Sequence, residues 1–206
     1  MFLERAGRWF LESGIQEEHG GVARYYRIDL ARNNRISTEI TGYAVSALIY
    51  LHQQTGEQKY LDAAIRAGRF LANSAWDAAR QVFPFEWPPT STPEENRVYF
   101  FDGGIIIRGL LSLWRATKDQ QFLIRATDCG DGMARVHEHA GEYAPILQLP
   151  DLNPLPYGGS WSNNPGCYQL KSALAWRQLW EVTGEPRYAE WFETALARAL
   201  ANDASF

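Results

Sequence analysis

Cysteine is scarce in this chain, with Cys129 and Cys167 the only two in 206 residues. They form no disulfide framework and no paired metal-ligand spacing, which fits a reduced compartment, and a cytoplasmic location is expected. Histidine is equally thin. His137 and His139 are two apart, on different faces if a helix runs through them, and no His-Glu-x-x-His pattern occurs, so neither a metal nor another cofactor is expected. No apolar run approaches the roughly 20 residues of a membrane span. The opening MFLERAGRWFLESGIQ carries Glu4, Arg5, Arg8 and Glu12 and is not read as a secretory signal. A basic excess is missing too: 20 Lys and Arg stand against 24 Asp and Glu, which argues against nucleic acid or an anionic membrane as partner. Gly20-Gly21 and Gly103-Gly104 lack the strand-turn-helix setting of a phosphate loop.

What the chain does have is aromatic residues and a repeat. Eight Trp, ten Tyr and ten Phe are present. The segment from Ser37 to Ser74 reads as two helices joined by a tight turn, and it recurs. Leu51, Thr55, Tyr60 and Leu61 align with Leu113, Thr117, Phe122 and Leu123 at an offset of 62. Leu113, Trp114, Thr117 and Phe122 align in turn with Leu179, Trp180, Thr183 and Tyr188 at an offset of 66.

In each copy the first helix is apolar nearly all round, as in Tyr43, Ala44, Val45, Ala47, Leu48, Ile49 and Leu51, and is expected to be an inner helix surrounded by protein. The second is one-sided, with Tyr60, Leu61, Ala64, Ala67, Gly68 and Leu71 at helical spacing, and is expected outside. Gly56 and Gly184 suit a left-handed helix end. Glu57, Asp119 and Glu185 suit the positive start of the next helix, and Pro186 suits its first turn. Lys118 replaces the glycine in the second copy, so that turn is expected to be looser or of another type.

Before the repeats, Phe2, Leu3, Ala6, Trp9 and Phe10 mark one face of a lone helix, whose Arg5-Ala6-Gly7-Arg8-Trp9 echoes Arg66-Ala67-Gly68-Arg69-Phe70. It reads as an outer helix without its inner partner. Three long connections follow, over 16–36, 75–100 and 139–165, the latter two broken by Pro84, Pro88, Pro89, Pro93, Pro145, Pro150, Pro154, Pro156 and Pro165. The expected fold is therefore all-α, a single unit over 1–206, with short turns at one end and long loops at the other. Loops of such length are usually functional. They carry Tyr25, Tyr26, Phe83, Phe85, Trp87, Tyr99, Phe100, Tyr157 and Trp161 among Arg24, Asp29, Glu86, Asp151 and Asn163. Aromatic faces cover sugar C–H surfaces and charged groups take hydroxyls, so a groove for a small-molecule or oligosaccharide ligand is expected. Packing of the loops onto the helices is the plain alternative.

An inner helix, a Thr-Gly turn, a Tyr-Leu-x-Ala-Ala outer helix and then a long loop resemble the hairpins of the α/α-toroid proteins, among them the six-hairpin glycosidase-like enzymes, the sugar 2-epimerases and the terpenoid cyclases. The resemblance implies an α/α-toroid-like arc of three helical hairpins plus one N-terminal helix. A full six-hairpin ring would be longer, so the arc is open or is completed by a partner chain or a second copy. The terpenoid branch is disfavoured because no run of clustered aspartates is present to hold magnesium on a diphosphate.

The resemblance further implies an active site where the long loops meet the inner-helix N-termini. The repeat register puts Glu39, Phe101 and Cys167 at one position there, and Ile40, Asp102 and Tyr168 at the next. Glu39 and Asp102 are thus candidate catalytic carboxylates for a hydrolase, lyase or epimerase. Helix capping is the competing role for both. A helix N-terminus lowers a carboxyl pKa, so Glu86 or Asp151 is the expected acid. His19 is a candidate proton carrier. Candidate substrate contacts are Arg24, Tyr25, Tyr26, Phe85, Trp87, Tyr99, Trp161 and Tyr168. Arg24, Arg27, Arg32, Arg35 and Arg97 allow a uronic acid as ligand. Cys167, at a helix start, reads as a small buried cysteine more readily than as a nucleophile.

Overall fold

The computed structural model describes residues 2–92 and 95–203, apart from the side chains of Phe2 and Asp203. Pro93, one of the expected loop breakers, lies outside the described residues. The helices are α1 (Phe2–Glu12), α2 (Thr38–Thr55), α3 (Gln58–Arg69), α4 (Phe100–Thr117), α5 (Gln120–His137), α6 (Gln169–Thr183) and α7 (Pro186–Asp203). A π-helical stretch, Phe70–Ala75, extends α3. The three hairpins α2–α3, α4–α5 and α6–α7 stand side by side, with α4 packed between α2 and α6 as the middle inner helix. This is the all-α toroid-like arc that the repeat implies.

Missing side chains set the spacing of the inner helices. A Cβ on Gly104 would lie 2.5 Å from the Ser172 carbonyl oxygen, and one on Gly109 would lie 2.5 Å from that of Gly42. Both neighbours are backbone, so α4 sits in near-contact with α6 and with α2. Gly104→Ala is expected to cost about 1–3 kcal/mol of stability by overpacking, read as a lower denaturation midpoint. Outside this layer Tyr60, Phe122 and Tyr188, equivalent in the repeat, are all fully buried. Each such side chain contributes roughly 1.5–3 kcal/mol by leaving water.

Three expectations about the helices change. Gly56, Lys118 and Gly184 have φ of 71°, 62° and 72°, and their N–H groups donate to His52, Trp114 and Trp180. Lys118 therefore closes the same left-handed turn as its glycine counterparts, because that hydrogen bond offsets the modest steric cost of its Cβ. Inner helix α2 is not covered all round: Tyr43, Ala47 and Tyr50 form an exposed stripe. Helix α1 packs on α2 and α3 through Gly7, over which the Tyr60 ring lies. Its expected apolar face is largely uncovered, since Leu3 and Trp9 are 44% and 61% exposed.

The long connections are knitted together rather than structureless. Strands β1 (Tyr26–Arg27) and β2 (Arg32–Asn33) form a small ribbon in the first. Strand β3 (Ile36–Ser37) pairs antiparallel with β4 (Glu86–Trp87), which ties the first connection to the second. Strand β5 (Arg97–Tyr99) pairs with β8 (Ile146–Gln148), and β8 with β9 (Asn153–Pro154), which ties the second to the third. Strands β6 (Glu138–His139) and β7 (Glu142–Tyr143) turn the chain just past α5, so no helix carries both His137 and His139. Buried His137 holds the Ala144 carbonyl at 2.7 Å, and burial lowers its pKa to about 4, so it is neutral and structural.

Candidate functional site

Where α2, α4 and α6 begin, a cleft of about 250 Å³ opens, lined by Arg24, Glu39, Phe85, Tyr99, Phe101, Asp102, Pro145, Trp161, Ser162 and Tyr168. Each of the three long connections contributes to it, as do the first turns of α2 and α4. The structure therefore brings Glu39, Asp102, Arg24, Phe85, Tyr99, Trp161 and Tyr168 together at one mouth.

Asp102 is the unusual group. It is 4% exposed, and its Oδ2 is buried without a hydrogen-bond partner. It does not cap α4: the N-cap is Tyr99, with no side-chain cap bond, and Asp102 sits in the first turn facing the cleft. Burial, reinforced by the charge of Glu39, raises its pKa well above the usual carboxylate value. Desolvation outweighs the helix-terminus effect here, because a buried carboxylate loses its whole hydration shell. Glu39 is no cap either, since Ser37 fills that role by accepting from the Ile40 N–H at 3.2 Å. Burial raises its pKa, and the charges of Lys171 and Arg24 act against that rise. The two carboxyls are coupled, because a charge on Glu39 makes ionisation of Asp102 harder.

Glu86 is not a free acid. Its carboxylate accepts from Arg24 at 3.1 Å and pairs with Arg35 at 3.0 Å. Asp151 lies exposed in a surface turn outside the cleft. Neither of the two expected acids is thus a free carboxyl within the cleft. His19 is also elsewhere: it stacks on Phe70 at 5.0 Å, meets Trp87 edge-on at 5.1 Å and pairs with Glu17. Trp87 lines a different hollow, Tyr26 a third, and Tyr25 is exposed beside Arg24 rather than within the cleft. Of the arginines suggested for an acidic ligand, Arg27 is held by Asp29, and Arg35 by Glu86 and the Pro88 carbonyl. Cys167 is exposed, against the expectation of burial.

The walls are aromatic and tethered. Phe85 and Tyr99 rings lie 4.9 Å apart, with the Arg24 guanidinium 4.8 Å above Phe85. The Tyr168 hydroxyl donates toward the Ser162 and Asn164 carbonyls, drawing the third connection over the mouth, and burial pushes its pKa up to about 12. Trp161 meets Tyr168 edge-on at 4.8 Å and stands 72% exposed at the rim. Pro145, Ser162 and Lys171 escaped the sequence reading. Lys171 in particular looks like a solvated helix residue, with only its place one turn after Cys167 in the repeat to single it out.

A roomier hollow of about 370 Å³ lies between Trp76, Pro84, Trp87, Pro89 and Pro150. Its carboxylate, Asp77, is held by Arg80 at 2.9 Å, whereas the buried carboxyl oxygen left without a partner among the described residues, Asp102 Oδ2, is in the smaller cleft. Among the described residues no His, Cys, Asp and Glu cluster is arranged to hold a metal ion, and no helix is long and apolar enough to cross a membrane.

No protein-family model matches the chain, and no curated protein does so significantly. Solved structures do match. A sugar epimerase from a ruminal bacterium is 16% identical with a TM-score of 0.73, over 96% of this chain and 54% of its own. Cellobiose 2-epimerase from Spirochaeta thermophila is 20% identical with a TM-score of 0.72, over 95% and 53%. A family 76 glycoside hydrolase (mannosidase) from Bacteroides thetaiotaomicron is 19% identical with a TM-score of 0.65, over 87% and 47%. At such identities the likeness is one of fold. The chain has the α/α-toroid fold of these six-hairpin glycosidase-like proteins, and it spans about half the length of the solved structures it matches.

Proposed function

We propose that the chain belongs to a carbohydrate-active enzyme that works by acid–base chemistry at the shared mouth, with Asp102 as proton donor and Glu39 as the carboxylate that acts as base or nucleophile. The observation that carries it is the buried Asp102, its Oδ2 without a partner, in one aromatic-walled cleft with Glu39, where burial and the Glu39 charge both raise the Asp102 pKa. A carboxylic acid kept protonated by its surroundings can protonate a glycosidic oxygen near neutral pH, and a nearby carboxylate can activate water or attack the sugar. Phe85, Tyr99, Trp161 and Tyr168 would carry the sugar faces. Both reactive groups being carboxyls favours hydrolysis of a glycosidic bond. Two of the similar structures are named as sugar epimerases, and the same pair serves proton abstraction and return in that reaction. On this proposal the remaining wall of the cavity comes from a further half-ring, either on another stretch of polypeptide or on a second copy.

The test is a panel of oligosaccharides assayed for reducing-end release and, by NMR, for a change of sugar configuration. The expected result is turnover that falls about a hundredfold or more in Glu39→Gln, with a melting temperature within a few degrees of wild type. Configuration change without bond cleavage selects the epimerase. Saturable sugar binding with no turnover in either form would identify a non-catalytic glycan-binding module instead.

A further inference from the structure

The cations around the cleft are not equivalent. Arg24 is committed to Glu86 at 3.1 Å, whereas Lys171 has no carboxylate within ion-pair distance among the described residues. Its location is costly on local grounds, because it falls in the first turn of α6, where the helix dipole disfavours positive charge. Tertiary contacts nevertheless hold it firmly. From α6 its Nζ donates to the Tyr43 hydroxyl of α2 at 2.8 Å, and it lies 5.2 Å from the Tyr43 ring and 5.1 Å from the ring of Phe101 on α4. A lysine that spans from the third inner helix to the first lies on the concave side of the arc, at the edge of the cleft that Phe101 lines. Tyr43 follows Glu39 by one helical turn.

We propose that Lys171 and Tyr43 form a carboxylate-binding subsite beside the Glu39 and Asp102 pair, so that the sugar this site takes is a uronate; the inference rests on the sugar-processing function proposed above. The Tyr43 hydroxyl accepts from the ammonium, which leaves its own proton to donate to a ligand oxygen. The ammonium has two further N–H groups, and the two rings fix its position before a ligand arrives. Two charge-assisted hydrogen bonds converge there, one helical turn from the reacting groups, where the C6 carboxylate of a sugar ring seated at the mouth would fall. The rim position exposes the pair to solvent, so the preference is moderate rather than absolute. Lys171 also lowers the Glu39 pKa by its charge, and that role alone would give no preference for acidic ligands.

The experiment is a calorimetric or NMR titration with glucuronate and galacturonate against glucose and galactose at low salt. The expected result is about tenfold tighter binding of at least one uronate than of its neutral counterpart. Lys171→Met should bring the uronate to the level of the neutral sugar, and Lys171→Arg should retain most of the preference. Equal affinities in the wild type, or a preference that survives Lys171→Met, would overturn the subsite while leaving the sugar-processing function standing. Binding of neither class of sugar would remove both.

Discussion

Asp102→Asn is expected to lower turnover by about 10²–10⁴-fold and, at about pH 8, to raise the melting temperature above that of the wild type. The two effects share one cause. In the folded chain Asp102 holds its proton well above the usual 3.8, because burial and the Glu39 charge oppose ionisation. The unfolded chain releases that proton near the usual value. Between the two pKa values the folded state binds more protons than the unfolded, so stability is full below the unfolded pKa and declines as pH rises through the folded one. Asparagine keeps the shape, has no proton to lose and escapes that decline. Melting temperatures of the two forms should therefore converge at about pH 4 and separate with rising pH. A variant that is less stable than wild type at every pH and equally active would sink the proton-donor role and return Asp102 to a structural one.

The largest loss of stability is expected from Trp176→Ala, about 3–5 kcal/mol, or roughly a 10 °C drop in melting temperature at this chain length. Trp176 is fully buried, meets Phe100 at 5.6 Å, Tyr143 at 5.2 Å and Trp191 at 5.8 Å, and donates its indole N–H to the Gly130 carbonyl at 3.0 Å. Truncation opens a cavity and leaves that carbonyl without its donor, and the two costs add. Phe100 opens α4 two residues before Asp102, so slackness under Phe100 should loosen the Asp102 carboxyl as well. Trp176→Phe, which fills most of the space, should recover about half of the stability. Thermal unfolding followed by near-UV circular dichroism reads both.

The repeat was legible because burial imposes a period that twofold copying makes easy to see. Inner and outer helices, the glycine turns and the convergence of three loops on one rim all follow from it. The failures have tertiary causes. Capping at Asp102 was a sound local inference, but Tyr99 is the N-cap, and the Asp102 carboxyl is buried by the tertiary fold one turn further on. Glu86 looked like a loop acid until strand pairing set it beside Arg24 and Arg35. His19 and Trp87 carry the composition of a site, yet they pack with Phe70 in a separate aromatic cluster. Two-residue strands have too little length to show alternation, so the knitting of the loops was invisible. Lys171 has the appearance of any solvated helix lysine, and only its reach to Tyr43 and Phe101 distinguishes it.

The small inter-loop sheets have one more consequence. Because β3 clasps β4 and β5 clasps β8, the segments that shape the mouth are braced against one another rather than hung singly from the helices of the arc. Side chains along this collar can diversify without disturbing the glycine-lined seams below, so selectivity for a ligand and persistence of the scaffold are free to evolve as separate traits.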